Sequence, residues 1–496
     1  MMRRRDIKRI IRAGVWAVAF VLAVVTFGCS VPAAGQDEET VELSNEEMYE
    51  VGKLSAIDMF MSQKTDNPNV LNRIVGAGFI VEKSGYVVTC SHVAGCPGMR
   101  TVGFHDTTSL DGELPFEIVG WNDGMDVAVV RIVSDGRTFT AAKLGKSRDA
   151  QVGDRVIIIG NPEARRHVVV NGKITSTAAN WGYQWADAGT WHNDFLRCDA
   201  PAVEGFSGGP MINDRGEVIG MFSGNMGGGD TPASFAVPMH KILDGLPEVL
   251  NIEKLRGFVL GMSVAGMGDG TVTEVREDTP AAGAGVKKGD RVLSVNDQPV
   301  KVGFDFYYEL RKSKPGDEVR LRLRRGRNDV PAVLRLDAPR LRPGIPAEEL
   351  AAKLKRSLEP GLEYGYYGGA WNAVSDFLKA KPDKTGVANA IGIGLYAGQD
   401  NFGLVFSGYI RVEQAGTYTF FVGSDDGSQL YVDGELVVDN DGLHGPVAVG
   451  GNIGLEPGLH RLVVAYFERS GGEMLEVKYK GPGVGKQSLP ASVLCH

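Results

Sequence analysis

"EGFSGGP", residues 204–210, sets a serine between a bulky apolar residue and two glycines. As a strand-to-helix turn, Gly205-Phe206-Ser207-Gly208-Gly209 would be the nucleophile elbow of an α/β sheet. The flanking sequence argues against that context. "DRVIIIG", "HVVVNGKI", "GEVIGMF" and "SFAVP" around it are short β-type runs separated by turns. So are "GFIVE", "GYVVTC" and "DVAVVRIV" upstream. Many short strands with glycine turns predict a sandwich or a pair of barrels. Ser207 then sits on a bend between strands.

A serine hydroxyl is a weak nucleophile until a base takes its proton, and the base must be held by a carboxylate. His92 closes the apolar run "YVVTCSHV", and Asp126 opens "DVAVVRIV". The order His, Asp, Ser is that of chymotrypsin-like double β-barrels. Asp123, in "WNDGMD", is the alternative acid. The glycines beside Ser207 allow the N–H groups of Gly205 and Ser207 to face a developing oxyanion.

"GAGFIVEKSGYVVTCSHV", "DVAVVRI", "VGDRVIIIGNP", "CDAPAVEGFSGGPMINDRGEVIGM" and "SFAVP" together resemble the trypsin-like proteases of the HtrA/Deg family. The resemblance implies His92, Asp126 and Ser207 as a catalytic triad with no cofactor. It also implies a specificity pocket around Pro201, Phe222, Ser223, Ser234 and Phe235. Pro201 stands where trypsins carry an acid, so a small or medium apolar side chain is expected before the scissile bond. Phe206 stands where the family often has Asn. That keeps a second reading open, an inactive or ligand-gated protease fold serving as a surface or carbohydrate-binding adaptor. "NRIVGAGF" is similar to the activation site of secreted trypsins. Ile74 lies too close ahead of His92 for that role, and no zymogen cleavage is expected there.

After Arg256, "RGFVLGMSV", "DTPAAGAGVKKGDRVLSVNDQPV" and "FYYELRKSKPGDEVRLRLRRG" resemble a PDZ domain. Such domains add a peptide as an extra strand and capture its C-terminal carboxylate. Leu260, Gly261 and Met262 are the implied capture loop. The C-terminal "GLEYGYYGGAW", "FFVGSDDGSQLYVDGELVVDNDG" and "LEPGLHRLVVAYFERSGGEMLEVKYKGPG" look like the protective-antigen-type β-sandwich. This implies glycan or cell-envelope binding, with calcium held by Asp425 and Asp426. Adjacent carboxylates on a loop suit a hard cation needing many oxygens. Asp439, Asn440 and Asp441 could add more, although both strings also fit ordinary Asx turns.

The fold class expected is thus mainly β and multidomain: a chymotrypsin-like double β-barrel, an α+β PDZ domain, then an all-β sandwich. The length of 496 residues suits about three domains. The boundaries expected are a signal peptide over 1–35, an N-terminal helical segment over 36–66, the protease over 67–250, the PDZ domain over 253–338, a linker over 339–360 and the sandwich over 361–496. "SNEEMYEVGKLSAIDMFMSQ", residues 44–63, reads as one helix, with Ser44 and Glu47 forming a capping box. The Pro- and charge-rich run from residue 338 onward reads as a linker.

The net charge of -8, with no basic stripe, argues against nucleic acid as a partner. A basic start, "RRRDIKRIIR", an apolar run and small residues in "CSVPAAG" read as an export signal cleaved after Ala33 or Gly35. Lipidation at Cys29 or an uncleaved N-terminal anchor are the alternatives, and each places the body in the periplasm or cell envelope. Such a compartment permits Cys90 and Cys96 to bridge to each other or to Cys198, while buried free thiols fit equally. The expected partners are protein substrates, C-terminal peptides, and a glycan or envelope surface. By resemblance, a homotrimer would assemble through the residues before Val75.

Overall fold

The computed structural model describes residues 42–496 apart from 65–70, 97, 108–111, 186–187, 227–231, 397 and 444–446. The expected export signal and Cys29 lie outside these residues. Helix α1 (Asn45–Gly52) carries the expected capping box, but it ends at Gly52. Residues 56–63, expected to continue it, form strand β1 (Ala56–Lys64) instead. Met59, Phe60 and Met61 are buried without a break, a pattern that an amphipathic surface helix cannot bury and a barrel strand can.

Strand β1 closes the first barrel with β2 (Leu71–Glu82), β3 (Tyr86–Thr89), β4 (Met99–Gly103), β5 (Leu114–Asn122) and β6 (Val127–Ile132), in the order β1-β2-β3-β6-β5-β4. The expected start of the protease at residue 67 is therefore too late. Short helix α2 (Ser91–Ala94) follows β3. A second closed barrel, in the order β10-β11-β12-β9-β8-β7, is built from β7 (Arg155–Gly160), β8 (Val168–Trp185), β9 (Ala188–Cys198), β10 (Pro210–Asn213), β11 (Val218–Met226) and β12 (Ala233–Pro238). The fold is the expected chymotrypsin-like pair of six-stranded barrels. Ile74 lies within β2, opposite Met61.

Helices α3 (Met239–Val249) and α4 (Ile252–Arg256) lead into the next module. It comprises strands β13 (Met262–Val264), β14 (Val272–Val275), β15 (Arg291–Val295), β16 (Gln298–Pro299), β17 (Glu318–Arg325) and β18 (Asn328–Arg335), with helices α5 (Pro280–Gly283) and α6 (Gly303–Leu310). In β17, Val319, Leu321 and Leu323 point inward between exposed charged residues, the period-two pattern of a half-buried strand.

Helix α6 docks on the first barrel. The Tyr86 hydroxyl donates to Asp305 Oδ1 at 2.7 Å, and the Tyr308 hydroxyl donates to Glu117 Oε2 at 2.5 Å. Arg131 stacks 4.2 Å from the centre of the Tyr308 ring.

The run expected as a free linker is bound to the last domain. Arg342 N–H donates to Gly454 O at 2.9 Å, and Ile345 and Leu459 exchange main-chain bonds. Helix α7 (Ala347–Leu354) buries Leu350 against Leu459 and Cys495. A Leu at that position favours packing over solvation despite the polar neighbours. The final domain stacks a seven-stranded sheet on a four-stranded one, around a core that includes Phe402, Phe420, Leu430 and Tyr466.

Candidate active site

His92 lies on α2 and is positioned by Asp126, which is fully buried. The Asp126 backbone takes φ +52°, a left-handed turn conformation that Asp tolerates better than most residues. His92 Nδ1–H donates to Asp126 Oδ1 at 2.8 Å, and the His92 backbone N–H reaches the same oxygen at 3.2 Å. The Ser223 hydroxyl donates to Asp126 Oδ2 at 2.8 Å. Burial alone would push the Asp126 carboxyl up. The His92 charge and the hydrogen bonds from His92 and Cys90 outweigh it and hold the group below the usual carboxylate range. Asp123, the alternative acid, is exposed on the preceding turn.

Ser207 sits on the bend between β9 and β10, and shares a cleft of about 360 Å³ with His92, Val203, Glu204 and Phe222. Its hydroxyl points to Ser223 O at 3.5 Å. Catalytic hydrogen bonds are often loose before substrate binds. The bend joins the two barrels, because Ala77 N–H donates to Ser207 O at 2.8 Å. Gly208 must be glycine: its φ is +86°, and an added Cβ would lie 2.1 Å from Ala77 O. Asn161 N–H donates to Gly205 O at 2.9 Å, which orients that peptide. Among the described residues, the N–H groups of Gly205 and Ser207 donate to no acceptor.

Phe206 turns away from the cleft. It is 1% exposed and belongs to the core of the second barrel. Its ring meets Phe222 edge-on at 6.3 Å. Its Cα and ring lie so close to Gly160 that a Cβ there would fall within 2.6 Å of both. Packing thus holds the bend at the position where the resembling family often has Asn.

Of the expected pocket residues, only Phe222 and Ser223 line the cleft. Pro201 is exposed outside it. Ser234 is buried and donates to Ala200 O at 2.7 Å, and Phe235 is packed into the main core. The inward face of β12 is used up by packing, so Val203, Glu204 and Asn225 take the wall instead. The four described cysteines are free thiols. Cys96, which lines the cleft, donates to His92 O at 3.1 Å. Among the described residues, no bridge forms at Cys90, Cys96 or Cys198.

In the last domain Asp425 and Asp426 are buried and cluster with Glu468, all three offering oxygens within 4.8 Å of one another. Glu468 was not legible as a partner, because it arrives from a distant strand (Gly458–Glu468). Its Oε1 is buried with no hydrogen-bond partner. Burial and the two Asp charges push its carboxyl up to about 8. Asp439, Asn440 and Asp441 are engaged elsewhere: Asp439 accepts from Gln429, Asn440 donates to Ser424, and Asp441 accepts from the Val374 N–H.

Three family models match along the chain: a trypsin-like peptidase domain over residues 76–221, a PDZ domain over 259–336 and a PA14 domain over 358–492. The resemblance read from the motifs is borne out in this order. Among curated proteins, a probable periplasmic serine endoprotease DegP-like of Brucella suis is 30% identical over 261 residues, 50% of this chain and 49% of that protein. The Pseudomonas fluorescens protein of the same description is 29% identical over 265 residues, 50% of this chain and 52% of that protein. The chain spans about half the length of the curated relatives it matches. Of solved structures, the HtrA-type protease AlgW with decapeptide is 21% identical, covers 60% of this chain and 100% of its own, and has a TM-score of 0.36. The serine endoprotease from Yersinia pestis has the same identity and coverage with a TM-score of 0.34.

Proposed function

We propose that this chain is an exported serine endopeptidase of the HtrA/Deg type. The observation that carries this reading is the fully buried Asp126 gripping His92 Nδ1 in the cleft that holds Ser207. His92 Nε2 takes the Ser207 proton as the hydroxyl attacks the scissile carbonyl, then returns it to the leaving amine. Asp126 fixes the ring with Nδ1 protonated and supports its charge, and Ser223 fixes Asp126. The N–H groups of Gly205 and Ser207 receive the oxyanion, each such donor being worth ~100- to 1000-fold in turnover. Val203 and Phe222 leave the cleft without a buried acid, which supports an apolar residue before the scissile bond.

The domain matching PDZ models would take protein C-termini. The periplasmic description of the relatives supports an exported location, and among the described residues no helix is long and apolar enough to cross a membrane. In the last domain, Asp425, Asp426 and Glu468 fit a hard divalent cation such as calcium. The orphaned Glu468 oxygen amid like charges is the supporting observation. When bound, the ion would neutralise these carboxylates and offer coordination to sugar hydroxyls of a glycan or envelope. A homotrimer remains part of this reading by resemblance to the HtrA/Deg type.

The test is labelling of the mature protein with a fluorophosphonate serine probe beside Ser207→Ala. Labelling lost only in the variant is the expected result. No labelling, even with an apolar C-terminal peptide and calcium present, would favour the adaptor reading.

A further inference from the structure

The capture loop of the PDZ-like domain already holds a carboxylate. Leu260 and Gly261 both donate their backbone N–H to Glu253 Oε1 at 2.5 Å. Arg276 clamps the other Glu253 oxygen. Glu253 belongs to α4, the short helix between the protease and this domain. The strand edge is capped at Val264. One side of β13 pairs with β14. On the other side Tyr307 of α6 meets Val264: the Val264 N–H donates to the hydroxyl at 2.9 Å, and the hydroxyl donates to Val264 O at 2.6 Å. Leu260, Met262, Val264 and Tyr307 are each 5% exposed or less. Strand addition needs a free edge, and carboxylate capture needs free N–H groups. The capture N–H groups of Leu260 and Gly261 and the outward groups of Val264 are satisfied from within.

We propose that Glu253 is an intramolecular ligand of the PDZ capture loop, and that a protein C-terminus binds only by displacing it. This rests on the reading of residues 259–336 as a peptide-binding PDZ domain. The displaced helix is not a loose flap. Its Lys254 donates to Gly450 O of the last domain at 3.3 Å, and Asn452 donates to Lys254 O at 3.5 Å. A bound chain end would therefore disturb a junction that touches the protease, the PDZ-like domain and the sandwich.

The experiment is fluorescence anisotropy with a fluorescein-labelled heptapeptide ending in valine, as free acid and as C-terminal amide. It uses the mature chain carrying Ser207→Ala, alone and with Glu253→Ala, Glu253→Gln or Arg276→Ala. If the internal carboxylate fills the loop ~90–99% of the time, its removal tightens the free-acid peptide by about 10- to 100-fold. Glu253→Gln and Arg276→Ala should fall between parent and Glu253→Ala, and they serve if that variant fails to fold. The amide should bind weakly throughout. Equal affinity in parent and variants would overturn the inference while leaving the peptide-binding reading intact. Absence of binding to every variant would overturn both.

Discussion

Phe206 is the residue on which the proposed activity would turn. Its backbone carries the bend between the two proposed oxyanion donors, and its ring is locked between Phe222 and the bare backbone of Gly160. Truncation to alanine removes that packing and leaves a cavity, which typically costs about 3–5 kcal/mol for a buried phenylalanine. We expect Phe206→Ala to lower the unfolding temperature and to reduce kcat with little change in KM, since the loosened donors act on the transition state more than on the bound substrate. Melting followed by circular dichroism and steady-state peptide hydrolysis check the two parts. An unchanged melting temperature would show that the ring is not a support. The string "GFSGGP" made the bend that carries Ser207 visible in sequence, because glycines are required where backbones approach closely. What Phe206 packs against was not visible, because its neighbours Gly160 and Phe222 come from other strands.

At the scale of elements, the segment after β7 links a buried ionisable pair to the same bend. Asn161 supports Gly205, and six residues on His167 donates its backbone N–H to Asp58 of β1 at 3.2 Å. Burial pushes the Asp58 carboxyl up to about 7 from 3.8. Its contribution to stability is thus fully present below pH 3.8 and is lost as pH rises through about 7. Burial holds the His167 ring down at about 4 against 6.5. That contribution is present above pH 6.5 and lost as pH falls through about 4. A neutral pair is what this interior accommodates, with Asp58 Oδ2 lacking a hydrogen bond and His167 Nε2 3.8 Å from it. Asp58→Asn should therefore melt higher than the parent at pH 8.5, by a few kcal/mol, since a tenfold change in proton affinity is worth about 1.4 kcal/mol. The gap should narrow steadily toward pH 4. A pH-independent difference would mean that Asp58 does not titrate there. None of this was legible in sequence: "AIDMFM" read as helix, and only closure of the barrel brings Asp58 beside His167.

Across the whole molecule, three modules in the expected order were legible from their motifs, each of which concentrates its signal in turns and alternating strands. Their docking was not, because it depends on side chains such as Tyr86 and Asp305 meeting across more than two hundred residues of chain. The same holds for the carboxylate cluster of the last domain, where Glu468 completes an Asp pair read from sequence. If the cluster takes calcium, ion at ~100 times its dissociation constant should stabilise the folded chain by about 2.7 kcal/mol. That appears as a rise in the unfolding temperature of the sandwich, reversed by a chelator and absent in Asp426→Asn. Magnesium, smaller and stricter in geometry, should do less. No shift with calcium would assign the cluster to structure alone.

The main-chain bonds that Arg342 and Ile345 make with Gly454 and Leu459 have a mechanical consequence. Were the sandwich fixed to a surface while a substrate chain pulled on the protease, force would not first stretch a slack segment. It would meet these hydrogen bonds and the buried Leu350 at once. The two ends would then behave as a lever with a stiff joint, and the working range of the cleft would be set by the size of the molecule itself.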